Sequence, residues 1–259
     1  MTLPNPNLMK HKMQSGGLAV GMIVRLMGRV EVAAIARSCG FDCLYIDLEH
    51  CSFSLETVSQ ISMTATALGI TPVVRVAGLD PAMISRTLEA GAQGVIIPHL
   101  ENRAQAELVV QAAKFPPMGS RSLLGPNPHT LFCVGPAAQT MQEMNDAVLV
   151  VAMIESVTAV ENADEIAAVP GLDMLLVGTN DLCISLGVPG QYDHQAVAEA
   201  YALVAAACRK HGKHLGVGGL NSRPDIARRM IALGASYVSA GSDTGFLMSA
   251  GAAAAAAYR

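Results

Sequence analysis

The sequence predicts an α/β fold closed into a (β/α)8 TIM barrel. Three observations carry this: short apolar runs alternate with stretches of helical periodicity from end to end, the runs are apolar throughout, and eight such units fit within 259 residues. Strands that do not alternate apolar with polar residues belong to a sheet covered on both faces. Repeated strand–helix units mean parallel strands joined by helical crossovers. An open doubly wound sheet is the alternative. The number of units, and the absence of a GxGxxG turn after the first run, weigh against it.

In chain order, Leu8–Gln14 reads as a short helix covering the barrel floor. The expected strands are Leu18–Leu26, Cys43–Asp47, Thr71–Val76, Gly94–Ile97, Val148–Ile154, Met174–Val177, Lys213–Val217 and Tyr237–Ala240, each a β-branched or apolar run. Between them Leu55–Leu68, Pro81–Ala90, Arg103–Ala113 and Ser156–Val169 carry apolar residues at helical spacing. Phe115 to about Ala138 is the one irregular stretch, with Pro116, Pro117, Pro126, Pro128 and Pro136. Loops of that length in a compact domain serve function, assembly or disorder. The apolar, mostly alanine helix Phe246–Tyr258 suits close packing within or between subunits, though alanine is also simply a good helix former. No linker divides the chain, so residues 1–259 are expected to form a single barrel domain.

Composition narrows the class. Hydrophobic residues make up 51% and charged residues 15%, and the mean hydropathy is +0.38, which excludes disorder. The net charge of −4 and scattered Lys and Arg exclude a nucleic-acid surface. No apolar run spans a membrane, and the N-terminal MTLPNPN has no basic region followed by an apolar one, so neither membrane nor secretion is expected. The six cysteines form no CxxC pair and read as reduced thiols in a cytoplasmic protein.

Active sites of such barrels lie at the C-terminal ends of the strands. The polar residues just past the runs are Asp47, Glu49 and His50; Arg75, inside PVVRV; Glu155; Asp181, closing VGTND; Gly218 and Gly219; and Gly241, Ser242 and Asp243. Glu155 and Asp181, at adjacent strand ends, could supply hard oxygen ligands to Mg2+ or Mn2+, with positions left for a chelating 2-oxo acid. The cation would polarise the keto oxygen, and Arg75 would hold the enolate charge from the other side. His50 is the natural proton carrier, imidazole being the side chain that titrates nearest neutrality. Each residue also has a plainer reading. Asp181 and Glu155 precede helical stretches and could be caps, and taken singly capping is the better reading of Asp181. Arg75 could be a structural ion pair. His11, His129, His194, His211 and His214 match no converging set, while His99 stays open as a rim residue. Convergence of four groups on one rim favours chemistry.

Several segments resemble the HpcH/HpaI family of class II, metal-dependent pyruvate aldolases. They are Phe41–His50 (FDCLYIDLEH), Pro72–Val76 (PVVRV), Leu88–Pro98 (LEAGAQGVIIP), Met153–Glu155, Gly178–Leu182 (GTNDL) and Ala240–Asp243. The resemblance covers nearly the whole chain. It implies a barrel of the phosphoenolpyruvate/pyruvate superfamily, assembled as a hexamer (a trimer of dimers) with the last helix exchanged between subunits. It implies Glu155 and Asp181 as ligands of Mg2+, Mn2+ or Co2+, with Arg75 on the pyruvyl keto oxygen. His50 is then the acid/base, working with a metal-bound water and supported by Glu89. Backbone amides from Gly178 through Thr179, Asn180 and Asp181 would hold the pyruvate carboxylate.

The chain departs from the family pattern at Met153, where glutamine is common, at Glu89, where aspartate is common, and at the Gly178-Thr179 turn, where proline follows glycine. After Arg121 the segment SLLGPNPHTLFCVG holds no arginine, which leaves the aldehyde partner open between charged and uncharged.

The expected activity is reversible retro-aldol cleavage of a 4-hydroxy-2-oxo acid to pyruvate and an aldehyde. Lys10, Lys12, Lys114, Lys210 and Lys213 are the only lysines, and Lys213 should point to the barrel floor, which disfavours a Schiff-base aldolase. The rivals are a phosphate-binding barrel isomerase or synthase using Gly218-Gly219 and Gly241-Ser242, a related CoA-ester lyase or other enolate enzyme, and a catalytically silent barrel.

Overall fold

The computed structural model describes residues 6–259. Residues 1–5, on which part of the no-leader expectation rests, lie outside the described residues. The eight strands form one closed barrel in the order β1 to β8, with every neighbouring pair parallel. They are β1 (Ala19–Val24), β2 (Cys43–Asp47), β3 (Thr71–Arg75), β4 (Gly94–Ile97), β5 (Leu149–Ile154), β6 (Met174–Gly178), β7 (His214–Gly218) and β8 (Tyr237–Ser242). Each expected strand is present, with ends shifted by at most two residues.

The helices run α1 (Leu8–Gln14), α2 (Glu31–Ser38), α3 (Leu55–Ala67), α4 (Pro81–Glu89), α5 (Arg103–Ala113), α6 (Ala137–Ala147), α7 (Val157–Glu161), α8 (Ala163–Ala167), α9 (Thr179–Ser185), α10 (Gln195–His211), α11 (Pro224–Ile231) and α12 (Asp243–Ala256). Side-chain caps set several starts: the Ser54 side chain accepts from Thr57 N, and Asn102 accepts from Gln105 N. The continuous helix expected over Ser156–Val169 is instead two short helices. They break at Asn162, whose Nδ2 donates to the Glu101 carbonyl at 2.8 Å. The irregular stretch from Phe115 holds a single 3-10 turn, Pro128–Thr130, whose Asn127 side chain accepts from His129 N and Thr130 N.

Two-residue periodicity explains both core and site. Outward residues such as Leu44, Ile46, Val74, Val150, Ala152, Leu175 and Val177 pack under the helices. The inward set includes Cys43, Tyr45, Val73, Leu149, Val151, Met153, Met174, Leu176 and Tyr237. Met9 and Met13 of α1 join this inner cluster and close the floor, as the sequence suggested. Lys213 also sits at the floor, donating to the carbonyls of Val169 and Leu172. Continued upward two residues at a time, the inward rows end in Asp47, Arg75, Glu155, Gly178 and Gly218. The rows that fill the core therefore also carry the chemistry to the upper rim.

Of α12, only Asp243 is buried; Phe246 packs against Phe41 with ring centroids 5.9 Å apart, and the alanines that follow are exposed. Among the described residues no helix is long and apolar enough to cross a membrane.

Candidate active site

A cavity of about 230 Å³ opens at the C-terminal ends of the strands, lined by residues including Arg25, Tyr45, His50, Arg75, Met153 and Asp181. Gly178, Thr179 and Asn180 also line it.

Asp47, wholly buried at the end of β2, organises one wall. Its carboxylate accepts from Arg75 Nε at 2.9 Å and from Arg25 Nε at 2.7 Å. It also accepts from the amides of Glu49 at 3.1 Å and His50 at 3.4 Å, which shapes the turn that carries the imidazole. Burial alone would raise the Asp47 pKa, but the Arg75 and Arg25 hydrogen bonds and charges more than offset it and hold the carboxyl below its ordinary range. Arg75 is saturated with carboxylate, since its Nη1 lies 2.6 Å from Glu49 Oε2. The ring of Tyr45 lies 5.6 Å from its guanidinium carbon.

Across the barrel, Glu155 is 4% exposed. Its Oε1 accepts from the amide of His99 at 2.7 Å and lies 3.0 Å from His99 Nδ1. His99 reaches this position from a left-handed backbone conformation, φ 53°. Its other ring nitrogen is 2.8 Å from Glu49 Oε1, so His99, left open by the sequence, bridges two rim carboxylates. Glu155 Oε2 is buried and has no hydrogen-bond partner among the described residues. It faces Gly178, where a Cβ would stand 2.7 Å away. Burial raises the Glu155 pKa, and the negative charges of Asp181 and Glu49 push the same way, while His99 opposes. Asp181, in the first turn of α9, is exposed to the cavity, and its carboxylate makes no hydrogen bond or ion pair among the described residues. The cap of the neighbouring α7 is Ser156, not Glu155, so the capping alternative for Glu155 fails.

One expectation does not hold within this chain: Glu89 does not support His50. It ends α4, beside the start of β4 and so at the opposite rim, where Oε1 pairs with Arg121 Nη2 at 2.6 Å. The position is helical, and alternation of strand and helix direction sends the end of every helix to the floor. The residue that does hold the His50 turn is Asp47, three positions earlier. The Thr179 side chain faces away from the cavity, since its hydroxyl donates to the Gly218 carbonyl and contacts Tyr201 Oη at 2.8 Å, in keeping with the expectation that Thr179 offers a ligand its backbone amide. Only its backbone is available to a ligand. His50 itself is exposed on the rim, with Nε2 3.8 Å from Glu49 Oε2.

Sequence reasoning missed Arg25. The expected strand Leu18–Leu26 enclosed it, yet an arginine near the C-terminal end of an apolar run, like Arg75 inside PVVRV, was a visible signal.

This eight-stranded barrel gathers at its rim a buried carboxylate with one partnerless oxygen, a second acid, a guanidinium and an imidazole, a set of groups that carbon–carbon lyase chemistry can use. Residues 27–250 match the HpcH/HpaI aldolase/citrate lyase family, and the chain belongs to it. A 4-hydroxy-4-methyl-2-oxoglutarate aldolase of Hapsidospora irregularis is 39% identical over 217 residues, 83% of this chain and 80% of that one. The solved structure of an HpcH/HpaI aldolase from Desulfitobacterium hafniense DCB-2 superposes with a TM-score of 0.91 at 28% identity, covering 100% of this chain and 97% of that one. The citrate synthase SbnG superposes with a TM-score of 0.86 at 30% identity, with 97% of each chain covered. The chain is thus an aldolase-type lyase, and the isomerase and silent-barrel alternatives lose their ground.

Proposed function

We propose that this enzyme reversibly cleaves a 4-hydroxy-2-oxo acid to pyruvate and an aldehyde, with a divalent cation held by Glu155 and Asp181. The observation that carries the reading is the buried, partnerless Oε2 of Glu155, which lies against Gly178 of the cavity shared by Arg75, His50 and Asp181. A desolvated carboxylate oxygen without a donor is a costly arrangement that a hard cation relieves. Among the described residues no three His, Cys, Asp or Glu side chains form a metal cluster. Two carboxylates suit an ion that keeps positions for water and substrate. Mg2+, Mn2+ and Co2+ are the candidates, and when bound such an ion supplies a Lewis acid for the keto oxygen.

The chain's own groups divide the remaining work. Backbone amides at Thr179, Asn180 and Asp181 receive the 2-oxo acid's carboxylate. Arg75, fixed by Asp47 and Glu49, neutralises charge that develops on the C2 oxygen. His50 takes the proton from the C4 hydroxyl as the C3–C4 bond breaks. That bond's electron pair moves into the enolate of pyruvate, the aldehyde leaves, and the proton returns to C3. The relatives' named substrates support the 4-hydroxy-2-oxo acid class.

Pyruvate release from a panel of 4-hydroxy-2-oxo acids, with Mg2+, Mn2+, Co2+ or EDTA, tests the reading. Glu155→Ala and Asp181→Ala should each lower turnover by at least about 100-fold. Activity that survives both changes in EDTA would refute it.

The full chain, residues 1–259, is further proposed to work as one barrel domain in a homo-oligomer, a hexamer with α12 exchanged between subunits. Leu247 and Met248 at 63% and 70% exposure on α12 support assembly. Native mass spectrometry should give a multiple of 26.9 kDa, and a monomer would remove the proposal. Six free cysteines support a reducing, cytoplasmic setting.

A further inference from the structure

The cavity holds two arginines, and they are not equivalent. Arg75 has a side chain 4% exposed, with Nε and Nη2 on Asp47 and Nη1 on Glu49. Arg25 has a side chain 38% exposed and spends only Nε, on Asp47 at 2.7 Å. Its two Nη groups have no partner among the described residues, although the residue lines the cavity.

Its stem is held in place. The amides of Arg25, Leu26 and Met27 all donate to the carboxylate of Asp243, itself 4% exposed, at 2.8 to 3.2 Å. The loop after β1 therefore wraps a buried anion supplied by the end of β8. Solvated surface arginines lack such a cradle. This one is anchored at its backbone by Asp243 and at Nε by Asp47, which leaves the far edge of the fork pre-aimed.

Position around the ring supplies the direction. Glu155 and Asp181 follow β5 and β6, Arg75 ends β3, His50 follows β2 and Arg25 follows β1, diametrically opposite β5 in a closed ring of eight. A substrate anchored through its 2-oxo acid end near β5 and β6 and extending toward β1 would meet Arg75 and His50 first, with Arg25 beside Arg75 on the shared Asp47 Oδ2. Arg75 has all three nitrogens on Asp47 and Glu49, whereas Arg25 shares Asp47 through Nε alone, so the two Nη groups left unspent at the β1 end suit a second anion.

We infer that Arg25 is a specificity-determining residue: it binds the carboxylate on the aldehyde half of a 4-hydroxy-2-oxo diacid, the class to which the oxoglutarate named for the Hapsidospora irregularis relative belongs. The inference rests on the aldolase reading and assigns its substrate class. It resolves the choice that the arginine-free segment after Arg121 had left open.

Two substrates of nearly equal shape test it: 4-hydroxy-2-oxoglutarate and 4-hydroxy-2-oxopentanoate, which carry a carboxylate and a methyl group at C4. The wild-type enzyme should favour the diacid in kcat/KM by about 10- to 100-fold, the scale of charge-assisted hydrogen bonds. Arg25→Met should shrink that ratio to within about threefold, mainly through KM, and Arg25→Lys should restore part of it. A wild-type ratio near one overturns the inference. So does equal loss of both substrates in Arg25→Met, the signature of a purely structural partner for Asp47. If the wild type releases pyruvate from neither substrate with Mg2+, Mn2+ or Co2+, the aldolase reading itself fails; turnover of both without preference leaves that reading standing and removes only the role of Arg25.

Discussion

Asp47 shows how a single buried charge can organise a site whose chemistry others perform. It neutralises Arg75, steadies Arg25 and folds the turn of His50. Its pKa is depressed in the folded protein, so its stabilisation is complete above the ordinary carboxylate value and is lost only as pH falls through the lower folded value. His129 behaves differently. Burial, with help from the Arg121 charge, lowers its pKa to about 4, while Nε2 meets the Leu88 carbonyl at 2.8 Å. The unfolded chain binds this proton from about pH 6.5 downward and the folded one does not. Stability from this group is therefore complete above 6.5 and falls by up to about 3 kcal/mol as pH drops to 4. Urea midpoints at pH 7 and pH 4.5 should converge in His129→Gln relative to wild type; equal slopes would assign the acid sensitivity elsewhere. The sequence already excluded His129 from the site, and an isolated histidine in a loop carried that signal.

At the scale of elements, the end of β6 is closely constrained. A Cβ at Gly178 would lie 2.7 Å from Glu155 Oε2 and 2.9 Å from Met153 Cε. Gly178→Ala should keep the circular dichroism of the wild type, lose about 1–3 kcal/mol of stability to overpacking, and weaken Mn2+ binding, read by calorimetry, by about 10- to 100-fold. Unchanged affinity would mean that Glu155 is not a ligand. The elements were largely legible: α1, β2, β4 and α5 begin and end where periodicity and caps placed them. The Ser156–Val169 helix was not, because its break depends on Asn162 bonding to Glu101, far away in sequence. Local pattern holds no record of such a partner. The same limit explains Glu89. Its motif pointed to His50, but the end of α4 lies on the opposite rim beside Arg121.

Across the whole molecule, stability and chemistry occupy opposite ends of the barrel. Met9, 2% exposed, plugs the floor with Met13, so Met9→Ala should cost about 2–5 kcal/mol in urea unfolding. KM and kcat should stay within about twofold, since a packing loss at the floor is distant from the rim; a large change in either would show the two ends to be coupled. The sequence by itself determined the closed barrel, because eight fully apolar strands with helical crossovers have few other ways to cover both sheet faces. It also named the rim positions 50, 75, 155 and 181: the two-residue repeat carries core rows onto the rim at Arg75 and Glu155, while His50 and Asp181 stand on the segments just past β2 and β6. Tertiary structure alone decided that Asp47 joins two arginines, that His99 spans two carboxylates, that Thr179 turns away, and that Arg25 keeps unspent donors. Those facts depend on distances between strands that closure of the barrel sets, and no spacing along one chain encodes them.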